Sequence, residues 1–182
     1  MTLPTLTTKR LVLRQLVLGD AQALFNVLSD DVVMKYWSSA PHRDVVETQT
    51  YVAANADPEG LYKTWAITRD GASAIGWVVL ILRRQDNFEL GYILGRDHWR
   101  QGYLFEAATA VIDHAFLKLS ARRIMADTDP ENHGSVGLLK KLGFLQEGHL
   151  RAEWETHIGV RDSLIFGLLR DEWLEKNSLV PS

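Results

Sequence analysis

The chain contains no cysteine, which removes disulfides, thiolate metal sites and any acyl-cysteine intermediate together. It has no excess of positive charge. Twenty Lys and Arg stand against 23 Asp and Glu, a formal charge of -3, so no net field gathers a polyanion and a duplex nucleic-acid partner is not expected. The longest apolar run, Ile75 to Leu82, is far shorter than the ~20 residues a membrane-spanning helix needs, and no basic stretch leads into an apolar segment at the start. The expectation is a soluble, cytoplasmic protein without a membrane partner. The six histidines are dispersed, with no His-x-His or His-x-x-x-His pair, so no metal is expected. Neither GxGxxG nor GxxxxGK[ST] occurs. Five scattered prolines, no repeat and no linker leave residues 1–182 as one domain.

What remains is an ordinary globular composition, 46% hydrophobic and 24% charged, enough for a full core. Leu11, Leu13 and Leu16 alternate with polar residues and predict a strand over Arg10 to Leu16. Asp20 is placed to cap a helix carrying Ala23, Leu24, Val27 and Leu28, and Asp44 to begin another through Val45, Thr48 and Val52. Three strand-like runs follow, Thr64 to Thr68, Ala74 to Leu82 and Asn87 to Leu94, separated by turn residues. From Gly102 to Leu119, Leu104, Ala107, Ala108, Val111 and Ala115 keep helical spacing. Arg123 to Ala126 reads as a strand, Asn132 to Leu142 as a capped helix stopped by Gly143, and Phe144 to Trp154 and Arg161 to Leu169 as closing strands. Meanders with one strand-helix-strand crossover imply an α+β sandwich and not a doubly wound sheet.

Two segments carry chemistry. Trp99 to Ala107 joins a strand to the strongest helix; a helix start offers unpaired N–H groups, Gly102 lets a ligand approach the backbone, and Arg100 adds a cation, a combination that suits a diphosphate. Asn132 to Phe144 is a capped helix with a glycine stop.

In order, these segments resemble the GNAT superfamily of acyl-CoA-dependent N-acetyltransferases, and within it the ribosomal-protein N-terminal acetyltransferase branch. The likeness rests on Thr8-Lys9-Arg10-Leu11-Val12-Leu13-Arg14, Glu89-Leu90-Gly91-Tyr92, Trp99 to Ala107, Asn132 to Phe144, and Asp162 to Phe166. The resemblance implies a twisted, mostly antiparallel sheet flanked by helices, whose central parallel strands, carrying Glu89 and ending near Ala126, splay to admit acetyl-CoA as co-substrate. It further implies that the diphosphate rests on the turn Arg100, Gln101, Gly102, Tyr103, Leu104 and Phe105, while the pantetheine lies along Tyr92, Ile93 and Leu94, with Asn132 assisting. Leu104 replaces the family's usual small residue, and Leu139 stands where many members have a tyrosine acid.

Transfer of an acetyl group to an amine then proceeds by direct attack in a ternary complex, with Glu89 as the base, Asp127 as a weaker candidate for that role, and Ser135 stabilising the thiolate. The acceptor is a protein N-terminus or an amine-bearing small molecule, received by Tyr36, Trp37, His42 and the region Trp154 to His157. The oligomeric state is a monomer or homodimer. The rival reading is an acyl-CoA-binding sensor without catalysis.

Overall fold

The structure is a computed structural model describing residues 3–57 and 60–178. Eight strands form one sheet: β1 (Leu6–Thr7), β2 (Val12–Gln15), β3 (Tyr62–Thr68), β4 (Gly76–Arg84), β5 (Asn87–Leu94), β6 (Arg123–Thr128), β7 (Leu145–Thr156) and β8 (Gly159–Leu169). Their spatial order is β1-β2-β3-β4-β5-β6-β8-β7. Neighbours pair antiparallel everywhere except between β5 and β6, which run parallel. A parallel pair needs a crossover, and α4 (Tyr103–Leu117) supplies it.

Alternation along the strands divides the core between the two faces of the sheet. Leu13, Trp65, Ile67, Val78, Leu80, Phe88, Leu90 and Ile124 pack with α4 and α5 (His133–Leu142). Leu16, Ala66, Trp77, Val79 and Ile93 pack on the opposite face with α1 (Ala21–Leu28), the single-turn α2 (Asp31–Met34) and α3 (Val45–Asn55). The buried stripe of α4, Tyr103, Ala107, Ala108, Val111, Ile112, Ala115 and Phe116, follows the spacing read from the sequence. A closing helix, α6 (Arg170–Ser178), is anchored by buried Trp173. Among the described residues no helix is long and apolar enough to cross a membrane.

The predicted strands and long helices are present, and the chain forms the mixed, mostly antiparallel sheet expected of it. Asp44 caps α3 through the Glu47 N–H, and Asn132 caps α5 through the Ser135 N–H. Asp20 differs from expectation. It makes no side-chain cap on α1; its buried carboxylate takes two hydrogen bonds from the Arg14 guanidinium, at 2.6 and 2.9 Å, and one from the Val17 N–H. A buried carboxylate is stable only when paired, and Arg14 on the neighbouring strand is the stronger partner.

Where β4 and β5 meet, Gly76 permits an unusually close approach: a Cβ there would lie 2.2 Å from the Ile93 carbonyl oxygen and 2.8 Å from the Leu94 Cα. Both neighbours are backbone and can yield only by moving the strand. Gly76→Ala should therefore destabilise the protein by about 1–3 kcal/mol, measured by urea denaturation; a loss below about 0.5 kcal/mol, the scale of a neutral surface change, would show that the strands yield freely.

Candidate active site

The parallel ladder of β5 and β6 is short: Asn87, Phe88 and Glu89 pair with Arg123, Ile124 and Met125, and the pairing then stops. Both strands continue, β5 to Leu94 and β6 to Thr128, each still paired to its outer neighbour. A wedge-shaped gap thus opens in the middle of the sheet. Gly95 N–H bonds the Ile75 carbonyl, so antiparallel alternation turns the backbone of Ile93 and Gly91 toward β4 and that of Leu90, Tyr92 and Leu94 toward the gap. The Leu94 carbonyl is taken by the Trp99 indole at 2.7 Å. Tyr92 and Leu94, and not Ile93, therefore present the exposed ladder edge.

Beyond the gap, the turn into α4 contains two left-handed residues, Arg100 (φ 59°) and Gly102 (φ 78°). The conformation of Gly102 favours glycine, while at Arg100 it costs about 1 kcal/mol. Among the described residues no side chain caps α4, and its first intrahelical bond runs from Glu106 N–H to the Gly102 carbonyl. The preceding N–H groups, with the positive end of the helix dipole, are those a diphosphate would take. A groove of about 560 Å³ adjoins the turn, lined by Thr8, Arg10, Gly102, Phe105, Glu106 and Lys141 among others.

The turn is tied to the N-terminal segment. Glu106 accepts hydrogen bonds from Thr8 Oγ1 (2.6 Å), Arg10 N–H (2.8 Å) and Arg10 Nε (2.7 Å), and Arg10 Nη1 donates to the Gln101 carbonyl at 2.8 Å. The same guanidinium lies 4.6 Å from the centre of the Tyr103 ring. Burial pushes the Glu106 carboxyl up, but the bonds from Thr8 and Arg10 outweigh it and hold it below the usual range. The Arg10 side chain is 41% exposed, so the ion pair itself contributes about 0–1 kcal/mol, and its effect is mainly geometric.

On the α5 side, the Tyr92 hydroxyl lies 2.8 Å from Ser135 Oγ. Burial raises the Tyr92 phenol well above its ordinary value, so it stays protonated. Leu139 is fully buried in the core one turn further along α5.

On the α1–α3 face, Glu89 Oε2 accepts from Arg83 at 2.5 Å, and the Glu89 side chain is 15% exposed. Asp127, at the splayed end of β6, accepts from the Trp154 indole (3.1 Å) and Ser163 Oγ (3.3 Å) through Oδ2, leaving Oδ1 without a hydrogen-bond partner among the described residues. Trp154 itself is 48% exposed. Arg161 binds Asp129 twice and Glu131 once, fixing the connection from β6 to α5. Arg96, after β5, pairs with Asp30 at the start of α2, which ties that segment to the turn.

The predicted residues thus fall into groups: Tyr92 and Leu94 lead toward the turn Arg100 to Phe105, Ser135 bonds Asn132 and Tyr92, Trp154 bonds Asp127, and Glu89 sits on the last rung of the parallel ladder, held by Arg83. Leu104 is half-buried against the core, and Phe105 lies under the Lys141 ammonium at 4.4 Å. Tyr36 is half-buried and carries Lys35 over its ring. Trp37 donates to the Tyr51 hydroxyl and packs edge-on against Trp77. His42 is a correction: it is buried, hydrogen-bonded through Nδ1 to Thr48, with its ring edge-on to Tyr51, and belongs to the core. Sequence reasoning missed the Tyr92 hydroxyl contact with Ser135 and the clamp of Thr8 and Arg10 on Glu106. The signal for the clamp was opposite charges in two separate motifs, with nothing in their spacing to join them.

Residues 10–145 match the acetyltransferase (GNAT) domain family. The chain belongs to this family. Similar proteins include the uncharacterized N-acetyltransferase p20 of Bacillus licheniformis, 36% identical over 174 residues, covering 93% of this chain and 98% of the relative. Spermidine N(1)-acetyltransferase of Vibrio cholerae is 24% identical over 176 residues, covering 92% and 98%. Among solved structures, a GNAT acetyltransferase from Bacillus anthracis shares the fold at a TM-score of 0.84, with 24% identity and coverage of 92% and 99%. The Vibrio cholerae spermidine N-acetyltransferase in complex with CoA and spermine shares it at 0.80, with 23% identity and the same coverage. The protein is an N-acetyltransferase of the GNAT family, transferring acetyl groups to amines.

The lowered Glu106 carboxyl makes a signed prediction. Because the folded state favours its ionised form, the unfolded chain takes up this proton first on acidification. The stabilisation is complete above the ordinary carboxylate value of about 4 and is lost as pH falls through the lower folded value. The Tm difference between the wild type and Glu106→Gln should be largest near neutrality and vanish below that range. A difference that grew on acidification would contradict the assignment.

Proposed function

We propose that this enzyme acetylates the primary amine of a cationic small molecule or peptide N-terminus by direct attack on acetyl-CoA in a ternary complex, with the whole chain acting as one catalytic domain. The observation that carries this reading is the parallel ladder that ends after Glu89 and Met125, opening a gap whose far end leads to an uncapped helix start. The diphosphate would rest on the turn from Arg100 to Phe105, and the pantetheine would pair with the backbone of Tyr92 and Leu94 as an added strand. The thioester would then lie beside Ser135 on one side and open to Glu89 on the other.

The amine nitrogen attacks the carbonyl carbon, the carbon–sulfur bond breaks, and coenzyme A leaves as the thiolate. A gap-facing N–H, that of Leu94 or Tyr92, holds the developing oxyanion. Ser135 Oγ–H hydrogen-bonds the sulfur. The proton lost by nitrogen passes through water to Glu89, whose Oε2 is held by Arg83, leaving Oε1 to take it. No thiol is available for a covalent relay, and proximity supplies the largest part of the acceleration.

Support for a cationic acceptor comes from the carboxylates Glu89 and Asp127 on the acceptor face, the half-exposed Trp154 ring beside Asp127, and the substrate named for the spermidine acetyltransferases. Release of free thiol from acetyl-CoA, measured across spermidine, spermine and peptides beginning with Ser or Ala, tests it. Amine-dependent release with a polycationic acceptor is expected; coenzyme binding with no amine-dependent release in the whole panel would leave a sensor in its place. Glu89→Gln should lower kcat by ~10²-fold or more with acetyl-CoA affinity unchanged, and a full rate at every pH would remove Glu89 as the base.

A further inference from the structure

The Thr8-Lys9-Arg10 motif lies on neither wall of the gap, and the reaction as described makes no use of it. Its side chains nevertheless converge on the one turn that the coenzyme reading needs. Arg10 reaches across 91 residues of sequence to the Gln101 carbonyl, which lies between the two left-handed residues Arg100 and Gly102. That carbonyl and the Gly102 N–H belong to one planar peptide, so fixing the direction of the first fixes the second. The Tyr103 ring beneath the guanidinium holds the next residue.

Beside this geometric effect on the turn, the Arg10–Glu106 pair sets the charge that an incoming diphosphate meets. Glu106 sits in the first turn of α4, where a free carboxylate would repel an incoming diphosphate. Arg10 and Thr8 bind both of its oxygens, and Arg10 cancels its charge. Arg10 Nη2 has no hydrogen-bond partner among the described residues and lies 3.3 Å from where a Cβ on Gly102 would stand, so a positive edge remains at the turn.

We propose that Arg10, oriented by Thr8 and Glu106, is a positioning residue for coenzyme binding: it sets the Gln101–Gly102 peptide and neutralises the carboxylate at the start of α4. This rests on the coenzyme reading above and adds to it a residue far from the chemistry. Its action falls on the nucleotide end of the donor and leaves the transfer step alone.

The test is calorimetric titration of coenzyme A into wild type, Arg10→Gln, Arg10→Lys and Glu106→Gln, with thermal melts on the same samples. Turnover is followed with acetyl-CoA and with acetyl-pantetheine, which lacks the diphosphate and the nucleoside. Arg10→Gln should weaken coenzyme A tenfold or more and raise the KM for acetyl-CoA in proportion, with kcat at saturation and acetyl-pantetheine turnover within twofold of wild type. Glu106→Gln removes the negative charge but leaves a single acceptor oxygen, with its amide N–H groups facing a donor of Thr8 or Arg10, so Arg10 loses its orientation and coenzyme A should weaken threefold or more; binding as tight as wild type would show that Glu106 does not orient Arg10. Arg10→Lys keeps the charge without the two-way fork, and a loss of threefold or more is expected; it carries the test if Arg10→Gln melts below the assay temperature. Coenzyme A binding within threefold of wild type in folded Arg10→Gln overturns the proposal, as does a parallel loss of turnover with both donors. A wild-type protein that gives no heat with coenzyme A, yet melts cooperatively, overturns the coenzyme reading itself.

Discussion

The structure depends on a ladder that stops. Three residue pairs join β5 to β6, and beyond Glu89 and Met125 the two strands part while each remains bonded to its outer neighbour. Unpaired backbone groups inside a sheet are costly unless something completes them. Here the outer strands hold the edges in place, so the gap persists with its donors and acceptors aimed into it. An extended chain with amide groups, such as a pantetheine arm, completes such an edge as another strand would.

The loops that flank the gap are held in part by contacts that cross long stretches of sequence. The turn beyond β5 is tied to the N-terminal segment by Arg10 and to α2 by the Arg96–Asp30 pair, and the connection from β6 to α5 is held by Arg161 on Asp129 and Glu131. Most of these ion pairs are partly exposed and contribute little to global stability. Their effect is to remove freedom from loops that a packed core does not reach. The division of labour is consistent with a binding site that must be rigid before its ligand arrives: the two cores fix the sheet, and the charged pairs fix the loops.

Much of the fold was legible because its long elements repeat a simple period. β5 runs from Asn87 to Leu94 as its alternation predicts, and α4 and α5 begin and end within two residues of the expected positions. The elements that escaped were short or lacked an apolar stripe: β1 spans two residues, α2 is a single turn, and α6 is almost wholly polar apart from Trp173 and Leu174. Asp20 was read by its place before a helix, but burial gave the advantage to Arg14, which no local pattern reveals. His42 was read by chemical type and proved to be a core residue satisfied by Thr48. The site shows the same limit. Motifs singled out Glu89, Ser135 and the α4 turn as candidates, whereas the bonds of Tyr92 to Ser135 and of Arg10 to Glu106 join residues 43 and 96 positions apart and become visible only when the chain is folded.

The central claim, that the interrupted β5–β6 ladder and the α4 turn together receive the coenzyme, is tested most directly by amide hydrogen exchange with and without coenzyme A. Slower exchange at Tyr92 and Leu94 and at the amides of Gly102 to Phe105, with little change along β1 to β3, is the predicted result. Protection that appears elsewhere, or a bound coenzyme that leaves those amides exchanging as before, would contradict the account.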